Sequence, residues 1–142
     1  MTTGSILFDR EFRFQDGAIG EKLFVLLNDG TVGYYIVVPT TSQQHNKGKR
    51  PGCQPADFPC NFYIPEGECD LGKNTWVILQ KYYEYPSDFA ELFARRQSGR
   101  LKFICTLPET LIKQLLNCAK NSQDIEIRYE AIVDDELNKY VL

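Results

Sequence analysis

Tyr34-Tyr-Ile-Val-Val-Pro-Thr-Thr-Ser-Gln-Gln-His-Asn-Lys-Gly-Lys-Arg-Pro-Gly-Cys53 is the stretch on which the fold turns. Tyr34 to Val38 are all aromatic or β-branched, with no breaker among them, and predict a strand. Pro39 lacks an N–H to donate, so the ladder is expected to stop there. Thr40, Thr41 and Ser42 follow at the strand's mouth, and then a polar loop carries His45, Lys47, Lys49 and Arg50. A rigid strand that delivers hydroxyls to a basic loop suits a phosphate, although most such loops are simply solvated.

The flanking sequence extends the β pattern in both directions. Gly4 to Phe14 predicts a first strand, ending at Gln15-Asp16-Gly17. Lys22 to Leu27 is a nearly unbroken apolar run of strand length, as expected of a strand buried on both faces. Asn28-Asp29-Gly30 tolerates positive φ and predicts a hairpin turn into Tyr34–Val38. The segment from Ser42 to Cys60, with Pro51, Pro55 and Pro59, reads as a long irregular loop. Asn61–Ile64 is a short strand, and Thr75–Tyr85 is the strongest β segment of the chain. Asp88 is placed to cap a short helix ending near Ser98-Gly99, and Leu101–Thr106 is a further strand. Pro108 opens an amphipathic helix with Leu111, Ile112, Leu115, Leu116 and Ala119 on one face. Residues 124–142 form a tail element that reads either as an edge strand or as a helix. The sum is a single α+β domain over residues 1–142, mainly β: a small, strongly curved barrel with helices packed outside.

Composition bounds the function. A net charge of −3 confines any polyanion site to a local patch. The N-terminus lacks a basic head and an apolar run, so the chain reads as cytoplasmic, without a membrane span. Its five cysteines are then expected to be reduced thiols, with Cys105 and Cys118 in apolar contexts. Cys53, Cys60 and Cys69 lie near His45 in sequence but lack the tight spacing of a zinc site, so no metal and no cofactor is expected. As the chain's single histidine, His45 is a candidate acid or base.

The order of these elements resembles that of the MazF/PemK family of toxin endoribonucleases. Gly4-Ser-Ile-Leu-Phe-Asp9 is similar to that family's opening strand, and Gly20-Glu-Lys-Leu-Phe-Val-Leu-Leu-Asn-Asp29 stands where it has a Gly-rich loop, Arg-Pro and an apolar strand. Tyr35–Ser42 resembles its strand ending in Thr or Ser, and Asn46–Pro51 its following basic run. The likeness spans residues 4–121 as a pattern of short motifs in order. It implies an SH3-like barrel with a C-terminal helix, a homodimer, and an antitoxin partner. It also implies metal-independent, sequence-selective cleavage of single-stranded RNA through 2′-OH attack on phosphorus. The family's catalytic Arg falls on Lys22 and its Pro on Leu23, and its catalytic Thr/Ser falls on Thr41, with Thr40 and Ser42 one step away. Arg presents a fixed bidentate fork where Lys22 offers a point charge, which leaves Lys22 either a phosphate ligand or a solubilising strand-edge residue. His45, Lys47, Lys49 and Arg50 would contact phosphates, and Arg95, Arg96 and Arg100 would form a second basic rim. The alternative from another class is a barrel that binds protein or nucleic acid without chemistry, which the missing Arg-Pro and the acidic balance favour.

Overall fold

The computed structural model describes residues 1–140. Eight strands form one antiparallel sheet: β1 (Ser5–Arg13), β2 (Ile19–Leu26), β3 (Tyr34–Thr41), β4 (Gly52–Gln54), β5 (Asn61–Ile64), β6 (Thr75–Ile78), β7 (Tyr83–Pro86) and β8 (Leu101–Thr106). Three helices accompany them: α1 (Phe89–Gln97), α2 (Glu109–Lys120) and α3 (Ile127–Asn138). The strand order is β4-β5-β6-β3-β2-β1-β8, with β7 also on β3. The expected closed barrel is therefore met only in its coarser part, a mainly antiparallel α+β sheet. The path is open, and a disulfide ties Cys69, in the β5–β6 connection, to Cys105 on the terminal strand β8.

The apolar run of β2 has its physical reason in two cores. Val25 and Leu27 face a large core with Ile6, Ile36, Val38, Phe62 and Val77, covered by α2 and α3 through Leu115, Leu116, Val133 and Leu137. Phe24 and Leu26 face a second core with Leu7, Phe12, Tyr35, Val37 and Tyr85, covered by Leu92 of α1. Alternation along one strand thus feeds two layers of helix. The tail resolves as α3, because Tyr129, Val133 and Leu137 recur at i, i+4 and i+8 and are all buried. Gly4, at φ 83°, turns the chain into β1 where an added Cβ would stand 2.5 Å from Ile112 Cγ1.

Four expectations need correction. The segment 42–60 is not all loop; it contains the strand β4, paired with β5. Pro39 does not end its strand; β3 runs on to Thr41. The strong segment 75–85 is two strands, β6 and β7, with a turn between them. The thiols are not all reduced: Cys53–Cys118 and Cys69–Cys105 are disulfides, and Cys60 alone among the described cysteines is free. Disulfides of this kind persist in oxidising surroundings. Among the described residues, no helix is long and apolar enough to cross a membrane.

Candidate active site

Pro39 is where β3 changes company. Tyr34–Val37 pair with β7 on one edge, while Val37, Val38 and Pro39 pair with β2 on the other. Beyond Pro39 the ladder to β2 ends, and Thr40 and Thr41 pair with Val77 and Trp76 of β6. The backbone of Pro39 faces that first edge, so its missing N–H falls where β7 gives way to β6, and β3 continues through it. Continuing the Phe24↔Pro39 register by two places sets Lys22 across from Thr41. The parted edge is kept in register by a side chain, since Thr40 Oγ1 donates to Leu23 O at 3.0 Å.

A cleft of about 650 Å³ opens at this parting. Phe8, Leu23, Leu71 and Ile104 supply apolar wall, and Lys22, Thr40, Thr41, Ser42, Lys73 and Thr75 are among its polar lining. Lys22, Thr40, Thr41 and Ser42, singled out from the sequence, therefore line one cleft. Their hydroxyls are not equivalent. Thr40 is buried and its proton is committed to Leu23 O. Thr41 Oγ1 accepts the Gln43 N–H at 3.1 Å, which leaves its own proton free for a ligand. Lys22 is half-buried, and burial pushes its ammonium below the usual lysine range. Among the described residues no carboxylate lies within 4.0 Å of its Nζ, so it enters the cleft without a direct ion-pair partner.

The basic loop does not join them. His45, Lys47, Lys49 and Arg50 are absent from the cleft lining. Their loop is tied back across the β4–β5 hairpin: Trp76 Nε1 donates to Gly48 O at 2.9 Å, and Gly48 N donates to Asp57 Oδ2 at 2.9 Å. Lys47 Nζ donates to its own loop at Gln44 O. His45 sits at φ 48°, in the left-handed region, at the apex of this fold-back. These four residues form a separate outer surface.

The sequence reading missed the opposite wall, Asp70 to Lys73 and Thr75. A 3₁₀ turn (Glu68–Asp70) carries it, braced by Gly67 N–Leu71 O and by Glu66 N–Asn74 Oδ1. The Cys69–Cys105 bond ties this turn to β8, beside Ile104 of the cleft. Cys53 and Cys69 are each consumed by a disulfide, and the described residues hold no cluster of three His, Cys, Asp or Glu side chains arranged for a metal.

Arg95 and Arg100 are also spent elsewhere. Arg100 Nε donates to Asp9 Oδ1 at 2.9 Å and Nη2 to Oδ2 at 3.3 Å, while Tyr85 Oη donates to Oδ2 at 2.6 Å. Arg95 lies 3.8 Å from the same carboxylate and pairs with Glu91 at 2.5 Å. Of the expected second rim, only Arg96 is unpaired among the described residues and exposed.

No protein-family model matches this chain, and no curated protein matches it in sequence. The site is therefore read from its own geometry.

Proposed function

We propose that the β2–β3 cleft binds single-stranded RNA and cleaves it by 2′-OH attack on the adjacent phosphorus, as a MazF/PemK-like endoribonuclease toxin. The 2′-O–P bond forms, the P–O5′ bond breaks, and protons exchange with water. The fragments carry a cyclic phosphate and a 5′-OH. One observation carries this reading: a lysine without an ion-pair partner and a hydroxyl with a free proton, from two strands, line the same cleft. Lys22 neutralises charge that grows on the phosphorane oxygens, and Thr41 donates to a non-bridging oxygen. Both act on the transition state more than on the bound substrate. Homodimerisation, an antitoxin partner and a barrel-like closure of the curved sheet belong to the same reading.

The alternative, a module that binds without cutting, has one observation in its favour. Glu21 and Asp70 line the cleft alongside Lys22 and Lys73, so its formal charges balance. The two readings separate in one assay. Protein purified to homogeneity is expected to cut single-stranded RNA in EDTA and leave 2′,3′-cyclic phosphate ends. Thr41→Ala and Lys22→Met are each expected to slow cutting by about 10²–10³-fold. Lys22→Arg, which keeps the charge, should retain most activity. RNA left intact after long incubation with folded protein sinks the nuclease reading, and retention of that RNA on a filter would then support the binding module.

A further inference from the structure

We infer that the chain forms a two-fold dimer by pairing the outer edge of β8 with β8 of a second copy, so that one sheet runs through both. β8 ends the strand path and pairs only with β1. Leu107 N and Arg100 O bond to the β1 side, so alternation turns the backbone of Leu101, Phe103 and Thr106 outward. Among the described residues, no backbone hydrogen bond meets them there. The other two open edges are blunted. β4 is three residues long and bound to α2 through Cys53–Cys118, and β7 is four residues ending on Pro86. β8 has six residues, no proline and a single charge, Lys102.

An exposed apolar strip follows this edge. Phe103 pairs with Leu7 and so lies, with Leu101, on the α1 side of the sheet. α1 crosses from β7 to β8. On one flank of its buried Leu92, Arg95 lies over the Tyr85 ring at 5.1 Å; Phe89 and Phe93 take the other flank, towards β8. Phe89, Phe93 and Phe103 are 81%, 54% and 38% exposed. At about 200 Å² for a phenylalanine, they leave roughly 350 Å² open in each copy, nearly half of the ~800 Å² that a stable interface takes from each partner. The six-residue edge adds to that area.

Charge selects a second copy as the occupant. Antiparallel pairing of β8 with itself sets a two-fold axis perpendicular to the sheet, so each face continues into the same face of the partner. The two aromatic strips then meet on the α1 face. On the opposite face Lys102 stands across from Phe8, exposed and without an ion pair among the described residues. Antiparallel pairing places it at the far end of the other copy's β8. At that end Cys105, which faces the large core, holds Cys69, and Glu68 and Asp70 flank Cys69. Neither carboxylate has an ion pair among the described residues. Each copy thus carries a free cation at one end of the edge and an acidic turn at the other, on one face, and the two-fold axis brings each cation to an acidic turn.

The inference deepens the homodimer that belongs to the nuclease reading, and its test reads mass rather than cutting, so either can fail alone. Sedimentation velocity of the full chain at micromolar concentration is expected to show a dimer. Phe93→Ser/Phe103→Ser and Lys102→Glu should each weaken it by at least about tenfold, with the far-UV circular dichroism unchanged. Adding Glu68→Lys and Asp70→Lys to Lys102→Glu reverses the charges on both sides of each contact and should restore the dimer, most fully at low salt. A parent that sediments as a monomer overturns the proposal, even if that monomer cuts RNA. So does a dimer that Lys102→Glu leaves intact, or one that the added lysines fail to restore, since the contact would then lie on another surface. A dimer that obeys the charge reversal while RNA stays intact supports the surface and counts against the nuclease reading alone.

Discussion

Asp9→Ala is expected to lower stability by about 3 kcal/mol, read as a fall in the urea midpoint at unchanged slope. Asp9 is fully buried, and its two oxygens accept from Arg100 Nε and Nη2, Tyr85 Oη and Glu11 N. Removing it strands the Tyr85 phenol and takes the buried carboxylate from Arg100, while Arg95 keeps Glu91. Arg95 Nε already lacks a partner there, so the cluster has no spare acceptor to offer. Arg100 is 27% exposed and is partly rehydrated on truncation, which holds the loss near the lower end for buried pairs. The sign with pH follows from the carboxyl. Burial alone would raise its pKa, but hydrogen bonds from Arg100, Tyr85 and the Glu11 N–H outweigh it and hold it below the ordinary 3.8. A depressed folded-state pKa contributes stability that is fully present well above 3.8 and is lost as pH falls through the folded-state value. The parent should therefore weaken in acid more steeply than Asp9→Ala, and curves that stay parallel from neutral pH into acid would refute this account.

This cluster also shows where sequence reading stops. Alternation and turn chemistry are local, so β1, the apolar run of β2, the Asn28-Asp29-Gly30 turn and the Asp88 cap were all legible. The helical tail and the split of 75–85 depend on which core each segment meets, and periodicity alone leaves that open. Arg95 and Arg100 read as a phosphate rim because nothing near them in sequence marks Asp9, 91 residues from Arg100, as their partner. The loop 45–50 read as part of the cleft because the bond that turns it away comes from Trp76, 28 residues beyond Gly48. Lys22 and Thr41 were named as candidates through the family resemblance, Lys22 within β2 and Thr41 at the end of β3. Their convergence needed the register, in which β3 leaves β2 beyond Pro39.

The cysteines carry the other large effect. Cys53→Ser and Cys69→Ser are each expected to cost about 4 kcal/mol, from the loop entropy of closures spanning 65 and 36 residues. Heating curves with and without a dithiol reductant should show a matching fall in Tm for the parent. The two substitutions should differ in where the chain opens. Cys53–Cys118 pins the β4 strand to α2, behind the outer basic loop. Cys69–Cys105 pins the cleft wall, in which Cys69 and Asp70 hold φ of 54° and 57°, left-handed values that favour glycine. A turn held in that conformation relaxes once its tether is cut. Cys69→Ser should therefore speed hydrogen exchange at Gly67 and Leu71, whose amides close the turn through Leu71 O and Glu68 O. Cys53→Ser should leave those two amides as slow as global stability allows and loosen the β4–β5 pairing instead. If the cleft is the nuclease site, Cys69→Ser should also lose more cutting than Cys53→Ser at equal stability, because only the former frees Asp70, Leu71, Gly72 and Lys73 from the wall opposite Lys22 and Thr41. Equal exchange at Gly67 and Leu71 in both variants would show that the wall holds itself without the disulfide.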